Sequence, residues 1–397
     1  MNYPATIGIV GGGQLGKMLT LAAKKMGFFV IVTDPTPKSP AGQVADRQIV
    51  GDYKDAKTTR LLAKLSDLLT VEAEFVNDGV LQKIADKGVP VHPSPKTIGI
   101  IKDKLKQKEF LKKNKIATAP FFPVNSPDDI KKASKKFGYP MYLKARMDAY
   151  DGKGNYLISS EKDIDNGLKK LKGRSLYIER FIDFKKELAV MVARSIKGEV
   201  KVYPVVETIH KDSICDTVIA PAKISPLARK RAQVLATKTI KLLKGAGVFG
   251  FEMFLIPSTS VRPASQRGEQ TQDKSSGQAK VLINEIAPRV HNSGHYTIEA
   301  SVTSQFEQHI RAITGLPLGS TDMLVKSAVM KNILGTREGI GFPQGLERAL
   351  RIPGVSYHLY GKRDGRVGRK MGHLTVVGDS VEINLKKASR ARKALGI

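Results

Sequence analysis

The chain has 397 residues, 41% of them apolar and 26% charged, with no tryptophan and a single cysteine, Cys215. That usage suits about two to four soluble domains and excludes a fibrous repeat, global disorder, a disulfide framework and a cysteine-based zinc site. Lys and Arg number 66 against 37 for Asp and Glu, a net charge of +29, which favours polyanions or phosphorylated small molecules as partners.

No apolar run reaches about eighteen residues, so no membrane span is expected. Residues 1–4 lead straight into an apolar strand with nothing that reads as a leader, which makes a cytoplasmic enzyme the expectation. Aromatics are only 6%, too few for the stacking platforms of single-strand binders. Nucleic acid is therefore not expected as the main partner, and the lysines read as a solvated surface.

In chain order, residues 7–10 read as a buried strand, 11–16 as a glycine loop, 17–26 as a helix and 28–33 as a second strand. This βαβ order implies a parallel sheet, which 67–71 and 89–91 extend. A lysine-rich helix is predicted over 102–114, followed by an extended stretch at 118–124 and a strand at 139–144. Further strands are predicted at 176–179, 187–194, 200–206, 248–256 and 281–286. Residues 257–280 consist mainly of Ser, Thr, Gln, Gly and Pro and read as a flexible excursion.

Gly11-x-Gly13-x-x-Gly16, with Asp34 beyond it, has the spacing of a dinucleotide fingerprint. Its physical content is a tight turn and a helix N-terminus that suits an anion. A nicotinamide cofactor, another phosphate ligand and a purely structural turn all remain open from this loop alone.

Two apolar strands, 248–255 and 281–286, are each interrupted by one acid, Glu252 and Glu285. A hairpin through 257–280 would bring these carboxylates together, and buried neighbouring carboxylates need protonation or a cation. Mg²⁺, with Asn284 as a further oxygen and a nucleotide's phosphates, fits; acids facing a loop or paired with lysines fit the spacing as well. Lys144 at a strand end suits a phosphate, and the Gly152-Lys153-Gly154 loop can close over one. Glu179 ends a strand where it can accept hydrogen bonds from an adenine edge or a ribose. These residues sketch an ATP site without a Walker A loop.

Several motifs carry a resemblance: residues 11–16, Tyr150-Asp151-Gly152-Lys153-Gly154-Asn155, 206–212, Asn284-Glu285-Ile286-Ala287-Pro288-Arg289, His291-Asn292-Ser293-Gly294-His295, 303–307 and 368–373. Jointly they resemble the N5-carboxyaminoimidazole ribonucleotide synthetases, ATP-grasp enzymes of purine biosynthesis, from residue 6 to about 385. The resemblance implies an α/β and α+β ATP-grasp fold. A Rossmann-like domain would span 1–101 and an ATP-grasp domain 102–325, with a lid lobe at about 118–178. A small β-rich domain with a basic tail would span 326–397. It also implies that bicarbonate and 5-aminoimidazole ribonucleotide are joined with ATP and Mg²⁺, through carboxyphosphate, to the N5-carboxylated product. A homodimer is implied, and no membrane partner.

By position, the resemblance assigns nucleotide contacts to Lys104, Lys144, Ala149, Tyr150, Asp151, Gly152, Lys153, Gly154, Asn155, Glu179, Arg180, Phe181, Ile182, Glu187, His210, Asn284 and Glu285. It assigns the metal to Glu252 and Glu285. The ribonucleotide falls to Gln14, Leu15, Tyr150, Asp151, Lys153, Lys362 and Arg369, the last two on its 5′-phosphate. Lys153, Tyr150, Asp151 and Arg289 take catalytic roles. His291 and His295 are read as shaping the substrate pocket, and Cys215, with no basic neighbour in sequence, as inert.

Three positions depart from the family pattern: Lys17 in place of Arg, Phe75 in place of a polar residue, and Val290 in place of Pro. The stretch 206–216 looks most like versions fused to a mutase domain. No such domain is expected within this chain, so a separate mutase is expected to take the product.

Overall fold

The computed structural model describes residues 4–149, 152–257 and 280–397. Tyr150, Asp151 and most of the excursion expected at 257–280 lie outside the described residues.

The strand Thr6–Val10 is buried along Ile7, Ile9 and Val10, as a strand covered on both faces requires. It belongs to a parallel five-stranded sheet in the order Arg47–Val50, Phe29–Asp34, Thr6–Val10, Leu68–Val71, Val91–His92. Connections run outward on both sides of Thr6–Val10, so the chain switches direction between that strand and Leu68–Val71. Open parallel sheets bind ligands at the carboxyl ends of such a pair. The glycine loop leaves one of these two strands, and Glu72 and Glu74 leave the other.

Four antiparallel strands, ordered Phe121–Val124, Leu176–Arg180, Met141–Ala145, Asn155–Ile158, form a small lobe with the helices Pro127–Phe137 and Ile164–Lys170. It has its own core, centred on Ile130, Met141, Leu143, Ile158 and Ile178.

The largest sheet runs Lys280–Ala287, Gly247–Ile256, Lys186–Arg194, Val206–Lys211, Ile214–Ala220, Ser327–Leu334, Lys370–Gly378, Val355–Leu359, with Val200–Val202 beside Lys186–Arg194. Ile214–Ala220 pairs directly with Ser327–Leu334, so this sheet runs on across residues 325 and 326.

The helix expected over 102–114 is Lys104–Lys113, and a second helix not foreseen in the sequence, Pro95–Lys102, precedes it. Asp103 leaves helical geometry, and its carboxylate accepts from the Leu105 and Lys106 N–H groups as a cap. The strand expected over 200–206 stops at Val202. Pro204, which has no N–H to donate, separates it from Val206–Lys211. Among the described residues, no helix is long and apolar enough to cross a membrane.

Candidate functional site

Antiparallel pairing of Met141–Ala145 with Leu176–Arg180 brings Lys144 next to Glu179. The helix Lys104–Lys113 lies against them. Lys144 Nζ is 2.7 Å from one Glu179 oxygen and Lys108 Nζ is 2.5 Å from the other. Burial acts to raise the Glu179 carboxyl, but the two ammonium groups outweigh it and hold the group down at about 2. Burial pushes Lys108 down, whereas at Lys144 the Glu179 charge outweighs burial and its pKa is raised. Two cations thus share one buried anion, and the residual positive charge beside the cleft suits a polyphosphate.

Glu179, expected to accept from an adenine edge or a ribose, has one oxygen within ion-pair distance of each of the two lysines. Lys108 was missed in the sequence. Its spacing from Lys104 and Leu111, four and three residues, places all three on one helix face and was the available signal.

The strands Gly247–Ile256 and Lys280–Ala287 are antiparallel neighbours with Glu252 directly opposite Glu285, next to a bulge between Glu252 and Met253. Burial and the Glu285 charge push the Glu252 carboxyl up to about 7. Lys104 Nζ lies 2.9 Å from Glu285, and His291 Nε2 lies 3.3 Å from Glu252. Burial, with Arg289 and Lys370 nearby, keeps His291 well below the ordinary histidine range, so it meets Glu252 as a neutral ring. The Asn284 side-chain oxygen is buried without a hydrogen-bond partner. Two facing carboxylates and an orphaned oxygen fit a hard divalent cation such as Mg²⁺. Among the described residues, no cluster of three or more His, Cys, Asp or Glu is arranged to bind a metal.

His210 pairs with Glu187 on the adjoining strand; burial disfavours its proton, but the carboxylate outweighs that and its pKa is raised. Phe181 stacks on Tyr142 at 5.9 Å, next to Arg180 and the half-buried Ile182. The glycine segment folds back on Met141–Ala145 through Ala145 N–H to the Gly154 carbonyl, 2.8 Å, with Ala149 buried beneath it. Lys153 is exposed between Gly152 and Gly154, with Asn155 half-buried. Tyr150 and Asp151 lie outside the described residues.

At the switch point of the parallel sheet the glycine loop already holds an anion. The Gly13 and Leu15 N–H groups donate to Glu72 at 2.9 and 3.2 Å, and Gly12 N–H donates to Asp34 at 3.2 Å. A Cβ on Gly13 would sit 2.4 Å from a Glu72 oxygen, so glycine is required for this approach. Of the readings left open for this loop, the N–H groups at Gly12, Gly13 and Leu15 meet the chain's own carboxylates. Two cations from the far end of the chain, Lys362 and Arg369, were expected on the substrate phosphate. Lys362 Nζ donates to Gln14 Oε1 at 2.7 Å and to the Lys370 carbonyl at 2.6 Å. Arg369 donates to the Asp364 carbonyl at 2.7 Å.

Arg289 forms a two-point pair with Glu74 at 2.6 and 3.2 Å. Burial disfavours its charge, but Glu74 outweighs it and the pKa is raised. Glu72 and Glu74 directly follow the apolar strand Leu68–Val71, a position from which their place at the sheet's carboxyl edge was readable. Phe75 lines a cavity of about 330 Å³ with Lys54, Asn77, Lys102, Met147 and Asp148. Val290 and His295 are fully buried. Burial pushes the Cys215 thiol up to about 12, which disfavours the thiolate at neutral pH.

Three family models match in succession: the ribonucleotide synthetase preATP-grasp domain at residues 4–102, the ATP-grasp domain at 109–306, and the phosphoribosylaminoimidazole carboxylase C-terminal domain at 328–387. The crystal structure of N5-carboxyaminoimidazole ribonucleotide synthetase from Thermotoga maritima is similar at 50% identity over 99% of both chains, with a TM-score of 0.84. The chain belongs to the N5-carboxyaminoimidazole ribonucleotide synthetase family. The N5-carboxyaminoimidazole synthase of Aspergillus clavatus, solved with ADP and 5-aminoimidazole ribonucleotide, is similar at 37% identity over 98% of both chains, with a TM-score of 0.86. Phosphoribosylaminoimidazole carboxylase of Ogataea methanolica is 44% identical over 95% of this chain and 67% of its own length. The chain spans about two thirds of the length of the fungal carboxylases it matches. The fold is accordingly the ATP-grasp fold of this ligase family, preceded by its preATP-grasp domain.

Proposed function

We propose that the chain carboxylates 5-aminoimidazole ribonucleotide at N5, using ATP and bicarbonate, in purine biosynthesis. The observation that carries this reading is Glu252 opposite Glu285 in register, beside the net-positive Lys108–Glu179–Lys144 cluster. The Aspergillus clavatus relative, holding both ADP and the ribonucleotide, supports it. Lys104, Lys144, Glu187, His210 and the segments 149–155 and 179–182 hold ATP. Glu252, Glu285 and Asn284 hold Mg²⁺, which when bound neutralises phosphate charge. Gln14, Leu15, Lys362 and Arg369, with Tyr150, Asp151 and Lys153, hold the ribonucleotide.

A bicarbonate oxygen attacks the γ-phosphorus and ADP leaves, giving carboxyphosphate. The exocyclic amine then attacks its carboxyl carbon, phosphate leaves, and the amine proton passes to phosphate or solvent. Such transfer relies on positioning and fixed charge. Arg289, oriented by Glu74, supplies a fixed positive charge for the bicarbonate and carboxyphosphate anions.

Lys362→Ala and Arg369→Ala should each raise the ribonucleotide KM by about tenfold or more, since a charged hydrogen bond is worth about 1.5–3 kcal/mol. The KM for ATP should stay put. Steady-state kinetics in both substrates decide this, and damage to ATP affinity instead would reverse the two pockets.

The N-carboxylated amine is labile, and the product passes to a separate mutase in the cytoplasm; the synthetase itself acts as a homodimer. Purified alone, the chain should hydrolyse more ATP than the ribonucleotide supplied. Added mutase should bring ATP use and C4-carboxylate towards one to one. Stoichiometric C4-carboxylate from the chain alone would overturn this division of labour.

A further inference from the structure

The segment that carries Lys362 is fixed from outside by donors of the first domain. Lys17 Nζ, on the helix Gln14–Lys25, donates to the Leu359 and Tyr360 carbonyls, each at 3.2 Å. Gln43 Nε2 donates to the next carbonyl, that of Gly361, at 2.7 Å, and is itself steadied by the Lys38 carbonyl at 3.1 Å. Three successive carbonyls are thus held by two side chains more than 300 residues away in sequence. From the other side, Tyr360 N–H donates to the Met371 carbonyl at 2.9 Å. Gly361 has φ +81°, and a Cβ there would lie 2.4 Å from the Gln43 Oε1. Only glycine permits this approach.

Lys17 is half-buried and its hydrogen bonds go to carbonyls. Placing an ammonium there costs desolvation that a neutral donor would avoid. A lysine is a point charge on a flexible stem, so where its ammonium stands depends on how its backbone is held.

We propose that Lys17 and Gln43 are positioning residues that fix the backbone at 359–362, and through it the Lys362 ammonium, for the phosphate of the substrate. The inference rests on the reading of Lys362 as a phosphate contact.

The test uses the full chain with Lys17→Met, Gln43→Ala and, as a reference, Lys362→Ala. Each is assayed at saturating ATP with 5-aminoimidazole ribonucleotide and with the riboside, which lacks the phosphate. Lys17→Met and Gln43→Ala should raise the ribonucleotide KM by about fivefold or more with kcat within about twofold, as loss of ground-state and transition-state binding alike requires. Turnover of the riboside should match wild type, and Lys17→Arg, which keeps a cationic donor, should keep the low KM. Equal losses on ribonucleotide and riboside would show that the two residues only hold the domains together and would overturn the proposal. So would an unchanged ribonucleotide KM in both variants while Lys362→Ala raises it. Should Lys17→Met fail to fold, Gln43→Ala, which removes one neutral donor, decides alone. A Lys362→Ala enzyme with unchanged KM would instead remove the phosphate reading itself, and this inference with it.

Discussion

Glu285→Gln abolishes ATP turnover and leaves the fold intact. The amide is nearly the size of the carboxylate, so the strand pairing with Gly247–Ile256 survives. What disappears is one of two negative charges facing each other across that pairing. Their repulsion, together with burial, is what lifts Glu252 to about 7. Removing one relieves that repulsion but takes the ion-pair partner of Lys104, 2.9 Å away, so the two effects offset and the variant should melt near the wild-type temperature. With nucleotide the balance inverts, because a hard cation loses a charged oxygen ligand and the phosphates lose their neutralisation. Turnover should fall by about a thousandfold, on the order of the loss seen when one fixed stabilising charge or donor is taken from an active site. Phosphate release across a Mg²⁺ series, with a melting curve, reads both effects. Activity within tenfold of wild type would remove the metal assignment.

Glu179→Gln should have the largest effect on stability. It strips the single anion from between two buried lysines, and breaking a buried pair this way costs about 3–5 kcal/mol. Urea unfolding should show that loss. Excess ATP, or tripolyphosphate alone, should restore part of it, because a ligand binding only the folded state stabilises by mass action. The acid limb gives an independent check. The folded group titrates at about 2, below an unfolded value of about 4.3. Its contribution is therefore full above about pH 4.3 and is lost as pH falls through about 2. The gap between wild type and variant should close over that window. A variant within about 1 kcal/mol of wild type at neutral pH would mean that the lysines find other partners.

The parallel sheet and the facing acids were legible because each is written locally. Residues 7–16 carry strand, glycines and helix in one run, and Glu252 and Glu285 are each the single acid in an apolar strand. Lys108 and Glu179 were harder to pair. They are 71 positions apart, and a lysine on a lysine-rich helix looks like solvated surface until the fold buries it to 2% exposure. The glycine loop stayed ambiguous for a related reason. Its N–H groups do bind an anion, but the anion is Glu72, delivered by a strand some sixty residues later. Ser327–Leu334 escaped detection because buried Lys331 and Asn332 interrupt its apolar pattern. Their polar atoms are met by Asp216, Thr217 and the Cys215 carbonyl, partners visible only once that strand is paired.

Unbroken pairing from Ile214–Ala220 through Ser327–Leu334 to Lys370–Gly378 also governs how the molecule comes apart. Amide protons at 217–220 and at 328–333 share one ladder, so they should exchange with solvent only in a common opening and with similar slow rates. The lobe of Phe121–Val124, Met141–Ala145, Asn155–Ile158 and Leu176–Arg180 closes its hydrogen bonds within its own sheet. Its amides should exchange separately from those of the large sheet, restrained mainly by contacts such as the Lys108–Glu179 pair. Truncation between Leu334 and Lys370 strips Lys370–Gly378 from the large sheet, so its damage should spread towards the carboxylate pair, with four strands between them along the same ladder.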